Sequence, residues 1–221
     1  MSDAPDLTLY YLVHRAMRQT AVQFADAIAG LDHADRDRAA ALEWWWNGFS
    51  TELHNHHTIE DRLFFPALAA KVPAFATYEA GLAEDHAHLD DVMKGLDQAI
   101  RRLQAGAWVA PHTQAVELST ELARFLHEHL TVEDEDVLPL FSRHFTAEEY
   151  RELDERALKH ASTKQMFFIV PWAVSTLSTQ ERDDLLAALP KAISIIWSLS
   201  RRRYTRRAQQ ALGIVDLAVV R

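Results

Sequence analysis

Apolar residues recur at alternating spacings of three and four along four long segments, residues 10–28, 42–63, 82–103 and 115–137. This spacing is typical of the core-facing stripe of a helix that packs in a bundle. Six glycines and seven prolines among 221 residues leave little room for the turns of a β fold. The pattern therefore predicts an all-α protein built around a helix bundle.

Few polar residues interrupt these stripes, and apart from Ser119 they are all histidines or glutamates. Burying a lone carboxylate costs several kcal/mol, and a cation placed between two facing carboxylates removes much of that cost. A set of four histidines and two glutamates therefore indicates a metal site rather than core polar groups held by hydrogen bonds. The six candidate ligands are His14, His56, Glu60, His86, His129 and Glu133.

One stretch occurs twice without a gap, as HNHHTIEDRLFFP at residues 54–66 and HEHLTVEDEDVLP at residues 127–139. Each copy carries a histidine and a glutamate four residues apart, which lie on one face of a helix. The proline that closes each copy, Pro66 or Pro139, is predicted to end or kink its helix. Single histidines, His14 and His86, precede the histidine of each HxxxE pair by 42 and 43 residues. The halves are therefore predicted to be helical hairpins related by a pseudo-two-fold axis.

The doubled HxxxE motif, with single histidines on the alternate helices, resembles the hemerythrin-like (HHE cation-binding) family. The resemblance covers roughly residues 7–145. It implies an antiparallel four-helix bundle around two non-haem iron ions with an oxo or hydroxo bridge. It also implies that His14, His56, Glu60, His86 and His129 are ligands of these ions. The stripe and the repeat add Glu133, and Glu60 and Glu133 are the candidate bridges. Nitrogen and oxygen donors of this kind suit iron, and they suit zinc as well.

Two positions depart from the pattern of the oxygen-carrying hemerythrins. Those carriers have a second histidine four residues along helix three, where this chain has Asp90, which is either a further ligand or a surface charge. They also place an aspartate five residues after the histidine of helix four, which here is Asp134. The stripe and the repeat favour Glu133 over Asp134 as the ligand. Asp134 and its counterpart Asp61 are then hydrogen-bond partners of ligands or surface charges, and simple oxygen storage is in doubt.

The remaining histidines carry less weight. His54 and His127 lie two residues from candidate ligands and are expected to point away from the bundle core. His57 and His144 are expected to be solvated or to support ligands indirectly. Tyr10 lies one turn before His14 on the same stripe and is interpreted as a core tyrosine, with hydrogen bonding to a ligand at the metal as the alternative.

Residues 146–221 are predicted to form a helical extension that contains no metal-type pair. Capping-box patterns open at Thr146 with Glu149 and at Ser178 with Glu181. Residues 191–221 carry seven basic residues and one acidic residue, whereas the preceding chain carries 16 basic and 31 acidic residues. The acidic body argues against nucleic-acid binding. The basic segment is interpreted as a solvated helix end or a face lying on the acidic body, with an anionic membrane or nucleic acid as the alternative.

Composition adds three limits. The absence of cysteine excludes a disulfide scaffold and thiolate ligands. The longest apolar run, residues 166–177, is too short to span a bilayer, and no secretory leader opens the chain, so a cytoplasmic location is expected. A homo-oligomer is compatible with the sequence.

The predicted function is binding or sensing of dioxygen, nitric oxide or iron; the alternatives are turnover of peroxide or nitric oxide, and a structural zinc site.

Overall fold

The fold was analysed in a computed structural model that describes residues 4–160 and 162–213. Helices account for nearly all of this part of the chain, and it contains no strand. The α-helices are α1 (Thr8–Ala29), α2 (Arg36–Ile59), α3 (Phe65–Lys71), α4 (Ala76–Gln104), α5 (Val109–Val132), α6 (Leu138–His144), α7 (Ala147–Leu158), α8 (Thr163–Val174), α9 (Thr179–Ala188) and α10 (Lys191–Leu212).

Helices α1, α2, α4 and α5 form the predicted antiparallel four-helix bundle, which confirms the all-α fold. The predicted stripes face its interior, because stripe residues such as Phe24, Phe49, Leu96 and Leu126 are fully buried. The spacing of three and four keeps each stripe on one side of its helix. The bundle thereby places all four segments that carry candidate ligands around one axis.

The prediction that Pro66 and Pro139 end or kink their helices is corrected in one respect. The helices continue past both prolines, to Lys71 and His144, after a π-helical turn in each half. These turns span Glu60–Phe64 and Glu133–Val137, and each closes with a backbone hydrogen bond to the carbonyl of its first glutamate. The wider turn re-registers the hydrogen-bond ladder just before the proline, which cannot donate to it.

The candidate ligands occupy a polar layer between two hydrophobic clusters. One cluster fills the long body of the bundle and includes Phe24, Trp46 and Leu96. The other is built by α3, α6 and α7 around Phe65 and Phe141. Both prolonged helices contribute to this second cluster, so their passage through the prolines closes one end of the bundle over the polar layer.

The extension packs on the bundle and shares its core. Trp172 of α8 is fully buried and donates to Thr20 Oγ1 at 3.0 Å, and Trp45 of α2 donates to the hydroxyl of Tyr204 in α10 at 3.3 Å. Both predicted capping boxes, at Thr146 and at Ser178, are present. The division into residues 1–145 and 146–221 remains a prediction from the sequence.

The basic residues of α10 lie largely in solvent. Arg202, Arg203 and Arg206 are exposed, whereas Arg207 stacks on the Trp44 ring at 5.0 Å. The final part of the predicted basic segment, residues 214–221, lies outside the described residues. Within those that are described, no helix combines the length and the apolar character that crossing a bilayer requires.

Candidate metal centre

Two groups of side chains that could each hold a metal ion lie side by side in the polar layer. The first group consists of His14, His56, Glu60 and Glu133, whose donor atoms lie within 4.8 Å of one another. The Nε2 atoms of His14 and His56 face each other at 3.1 Å across α1 and α2. Two imidazole nitrogens and two carboxylates directed at one point form a donor set that suits iron or zinc.

The second group consists of His57, His86 and His129, all of them buried. Its His86 and His129 Nε2 atoms face each other at 3.2 Å across α4 and α5. The His57 ring stacks on His86 with centroids 4.2 Å apart and meets His129 edge-on at 5.4 Å. Adjacent residues of α2 thus serve different groups, because His56 and His57 point about 100° apart around the helix.

Glu60 faces both groups. Its Oε1 atom lies 2.9 Å from His56 Nε2, and its Oε2 atom lies 3.7 Å from His86 Nε2. The hydroxyl of Tyr10 donates a hydrogen bond to Oε1, and the Tyr10 ring packs edge-on against His14. Burial, with the charge of Glu60 as a further cause, raises the pKa of Tyr10 well above its ordinary value, so the phenol remains a donor.

Glu133 occupies the equivalent place in the other half. Its Oε2 atom lies 3.5 Å from His14 Nε2, and its Oε1 atom lies 3.4 Å from His129 Nε2. Burial alone would raise the pKa of Glu133, but the neighbouring histidines hold it well below its ordinary value. With one oxygen towards each group, both glutamates have the geometry of bridging carboxylates.

Asp61 and Asp134 each support a histidine of the opposite half. Asp134 Oδ1 accepts a hydrogen bond from His14 Nδ1 at 2.7 Å, and Asp134 Oδ2 forms an ion pair with Arg18 at 2.6 Å. Asp61 Oδ1 accepts from His86 Nδ1 at 2.9 Å. A carboxylate on Nδ1 fixes the tautomer and directs Nε2 at the centre. The structure therefore places Glu133, rather than Asp134, among the converging groups.

Neighbouring carboxylates favour protons on the histidines of the centre when no cation is bound. Burial would lower the pKa of His56, but Glu60 raises it above its ordinary value. Burial would lower the pKa of His86, but a hydrogen bond to Asp61 and the nearby carboxylates of Glu133 and Glu60 raise it to about 9. Burial would likewise lower the pKa of His129, but the charge of Glu133 and a hydrogen bond to Asp85 raise it to about 10. Burial lowers the pKa of His57 well below its ordinary value, so this imidazole is neutral.

The centre holds most of the buried polar atoms that lack a hydrogen bond. Within the described residues these atoms are both ring nitrogens of His57, Oε2 of Glu60, both carboxylate oxygens of Glu133, and Nε1 of Trp46. Leaving a buried polar atom unpaired costs about 1–3 kcal/mol. Metal coordination would satisfy one nitrogen of His57 and all three of these carboxylate oxygens, so the residues present fit bound metal.

The other candidate positions lie outside both groups. Asp90 accepts from the exposed His54 at 3.1 Å on the outer surface of α2 and α4. His127 and His144 are exposed, and His88 pairs with Glu121 at 3.1 Å. The structure thus brings together the six residues of the repeat and leaves Asp90 on the surface.

The expectation that His57 is solvated or a distant support is corrected, since its side chain is 3% exposed and contributes to the three-histidine group. A comparison of the two halves of the sequence could have indicated this position. Position 57 aligns with Leu130, and Tyr10 aligns with Leu82, so at both positions the halves place a polar ring against an apolar residue. These differences make the centre asymmetric, with three histidines on one side and two beside a phenol on the other.

Comparison with known proteins agrees with this geometry. The family model of the hemerythrin HHE cation-binding domain matches residues 7–141, well over half of the chain. Searches of curated proteins and of solved structures find no significant match. The matched segment contains α1 to α5 and both metal-type groups. The chain therefore belongs to the hemerythrin family of HHE cation-binding domains, which are metal-binding helical proteins.

Proposed function

We propose that the chain is a non-haem di-iron protein that binds or senses a small oxidant or gas, such as dioxygen or nitric oxide. The observation that carries the proposal is the position of two buried glutamates between two histidine groups, with one oxygen of each glutamate towards each group. Five histidines and two carboxylates then hold two ions. This nitrogen-rich donor set supports reversible binding, which the substitution by Asp90 had put in doubt.

The two sides of the centre have different tasks in this proposal. Iron bound there supplies reversible redox chemistry that small oxidants and nitric oxide require. His57, His86 and His129, together with one oxygen of each glutamate, would supply five donor atoms to the ion on one side. The His14 and His56 side has one imidazole fewer, which favours an open coordination position there. Small ligands are therefore expected on the side that Tyr10 borders.

Tyr10 gives this open side a hydrogen-bond donor. Its hydroxyl donates to Glu60 and remains protonated because its pKa is raised. The phenol can turn from the carboxylate to a small ligand, and the two hydrophobic clusters exclude water around it. Asp61, Asp85 and Asp134 are engaged by histidine Nδ1 atoms, and Glu52, one helical turn before His56, lines a separate cleft. The scarcity of a free acid or base favours binding over turnover of peroxide or nitric oxide.

The function is tested by adding nitric oxide or dioxygen to the anaerobic ferrous protein and following the iron absorption and electron paramagnetic resonance. Stoichiometric binding that is reversed by purging is expected. Catalytic consumption of many equivalents of peroxide or nitric oxide would instead support the enzymatic alternative. One zinc ion per chain, with no response to either gas, would contradict the di-iron proposal and favour a structural site.

His57→Leu tests the asymmetry of the centre. Leucine fills a volume similar to that of the imidazole beside His86 but cannot bind metal. The affinity for one of the two ions should therefore fall at least about tenfold. Metal titration followed by mass spectrometry under native conditions measures this loss. His54→Leu, on the exposed side of the same helix, is the matched control and should retain both ions. Equal metal affinity in the two variants would contradict the role of His57.

A further inference from the structure

A cleft of about 580 Å³ opens between α2 of the bundle and helices α8 and α10 of the extension. Four aromatic side chains line it, Trp44 from α2, Phe167 and Phe168 from α8, and Tyr204 from α10, beside polar residues such as Thr51 and Gln165. Leu199 contributes a further apolar wall and is 68% exposed, and Phe167 is 42% exposed. A concave apolar surface of this size has the dimensions of a small-molecule site.

Two cations stand at the solvent edge of this cleft. Lys164 of α8 and Arg203 of α10 are exposed and line it. Neither forms an ion pair within the described part of the chain. The protein as a whole carries a net charge of −9. Two unpaired cations beside an aromatic wall on an acidic protein offer a local attraction for an anionic group.

The inner end of the cleft contains a single carboxyl group, that of Glu52. This side chain is half-buried, and burial raises the pKa of its carboxyl to about 7. The raised pKa of Glu52 reflects weakly polar surroundings on this part of the cleft lining. The cleft is therefore polarised, with cations at the solvent edge and a low-polarity interior lined by rings.

We propose that this cleft is a binding site for a small planar aromatic anion, with its rings against the aromatic side chains of the lining and its anionic group on Lys164 and Arg203. Flat rings suit these side chains because offset and edge-on ring contacts add to the burial of apolar area. The cations then determine the orientation of the ligand. A cleft of this volume accommodates two or three fused rings.

The site lies next to the candidate metal centre without sharing a residue with it. Gly48, Glu52 and His56 follow each other at intervals of four along α2, so they lie on one face of the helix. Gly48 and Glu52 line the cleft, and His56 belongs to the first metal-type group. The floor of the cleft is therefore one helical turn, about 5.4 Å along the axis, from a candidate ligand.

Titration with 2-naphthoate, followed by calorimetry on the full chain, tests this proposal and does not require bound metal. Saturable binding at one site is expected, with a much weaker response to the neutral 2-naphthalenemethanol. Joint replacement of Lys164 and Arg203 by alanine should weaken 2-naphthoate binding by at least about tenfold, since both charge-assisted contacts are lost. The matched control is Arg202→Ala, an exposed arginine adjacent in sequence that does not line the cleft, and it should bind as the unaltered protein does.

Several outcomes would overturn the proposal. Absence of saturable binding, or an equal loss in Arg202→Ala, would show that the cleft does not recognise the anion. Tighter binding of laurate than of 2-naphthoate would indicate an acyl-chain site instead. Binding to phosphatidylglycerol vesicles that is lost in Ile195→Asp would indicate a membrane-binding face, because Ile195 is 59% exposed on α10 but lies outside the cleft.

Discussion

Replacing Glu133 with alanine is expected to lower metal content from about two ions per chain to one or fewer. The Glu133 oxygens point at different groups, 3.5 Å from His14 and 3.4 Å from His129. Its loss therefore removes a ligand from both ions and leaves the positive charge of the pair less compensated. Because one substitution weakens the binding of both ions, the loss in metal affinity should exceed about 100-fold. Metal analysis after dialysis measures the effect.

The control is Glu135→Ala, an exposed carboxylate two residues later in the same π-helical turn. This variant should retain both ions, which separates coordination from a general change in charge. Circular dichroism should show an unchanged helix content in both variants. If Glu133→Ala retained two ions while Asp134→Ala lost them, the helix-four ligand would be the aspartate that the oxygen carriers use.

Metal binding at pH 7 is expected to release at least about two protons per chain. The pKa values of His86 and His129 are raised to about 9 and about 10, so both imidazoles carry a proton at pH 7 before metal binds. Histidine ligates as the neutral base, so the ion bound by His86 and His129 must displace these two protons. The affinity for that ion should rise about 100-fold for each pH unit between 7 and 9, and should level off as the pH passes the two pKa values.

Calorimetry in buffers of different ionisation enthalpy counts the released protons directly. His57→Leu provides an internal check, because the pKa of His57 is lowered well below its ordinary value and this residue has no proton to release at pH 7. The ion bound between His86 and His129 should consequently release the same number of protons in this variant, at the higher metal concentration that its weaker binding requires. An affinity that does not change between pH 7 and 9 would contradict the protonation of His86 and His129.

The fold was predictable from the sequence because each bundle helix has a regular apolar stripe. The same stripes predicted the convergence of six polar residues, since a histidine or glutamate on a core stripe has to lie inside the bundle. The choice of Glu133 over Asp134 followed from the same reasoning. The structure adds the reciprocal arrangement, in which Asp134 supports His14 and Asp61 supports His86. The apolar stripes carry no information about such contacts between the two halves.

The role of His57 could not be obtained from the stripes because it lies one residue off the stripe of α2. It turns inward because α2 lies against both α1 and α4, so adjacent residues reach different neighbours. The passage of the helices through Pro66 and Pro139 was missed for a related reason. A π-helical turn changes the hydrogen-bond register locally, and a rule based on the α-helical register takes the proline as an end.

A crystal structure of the iron-loaded protein, with anomalous data collected on either side of the iron edge, tests the central claim most directly. The account predicts two iron peaks about 3.5–4 Å apart, joined by Glu60 and Glu133. One peak should be bound by His57, His86 and His129, and the other by His14 and His56. A single peak, or two peaks with His57 in contact with neither, would contradict the asymmetric dinuclear centre.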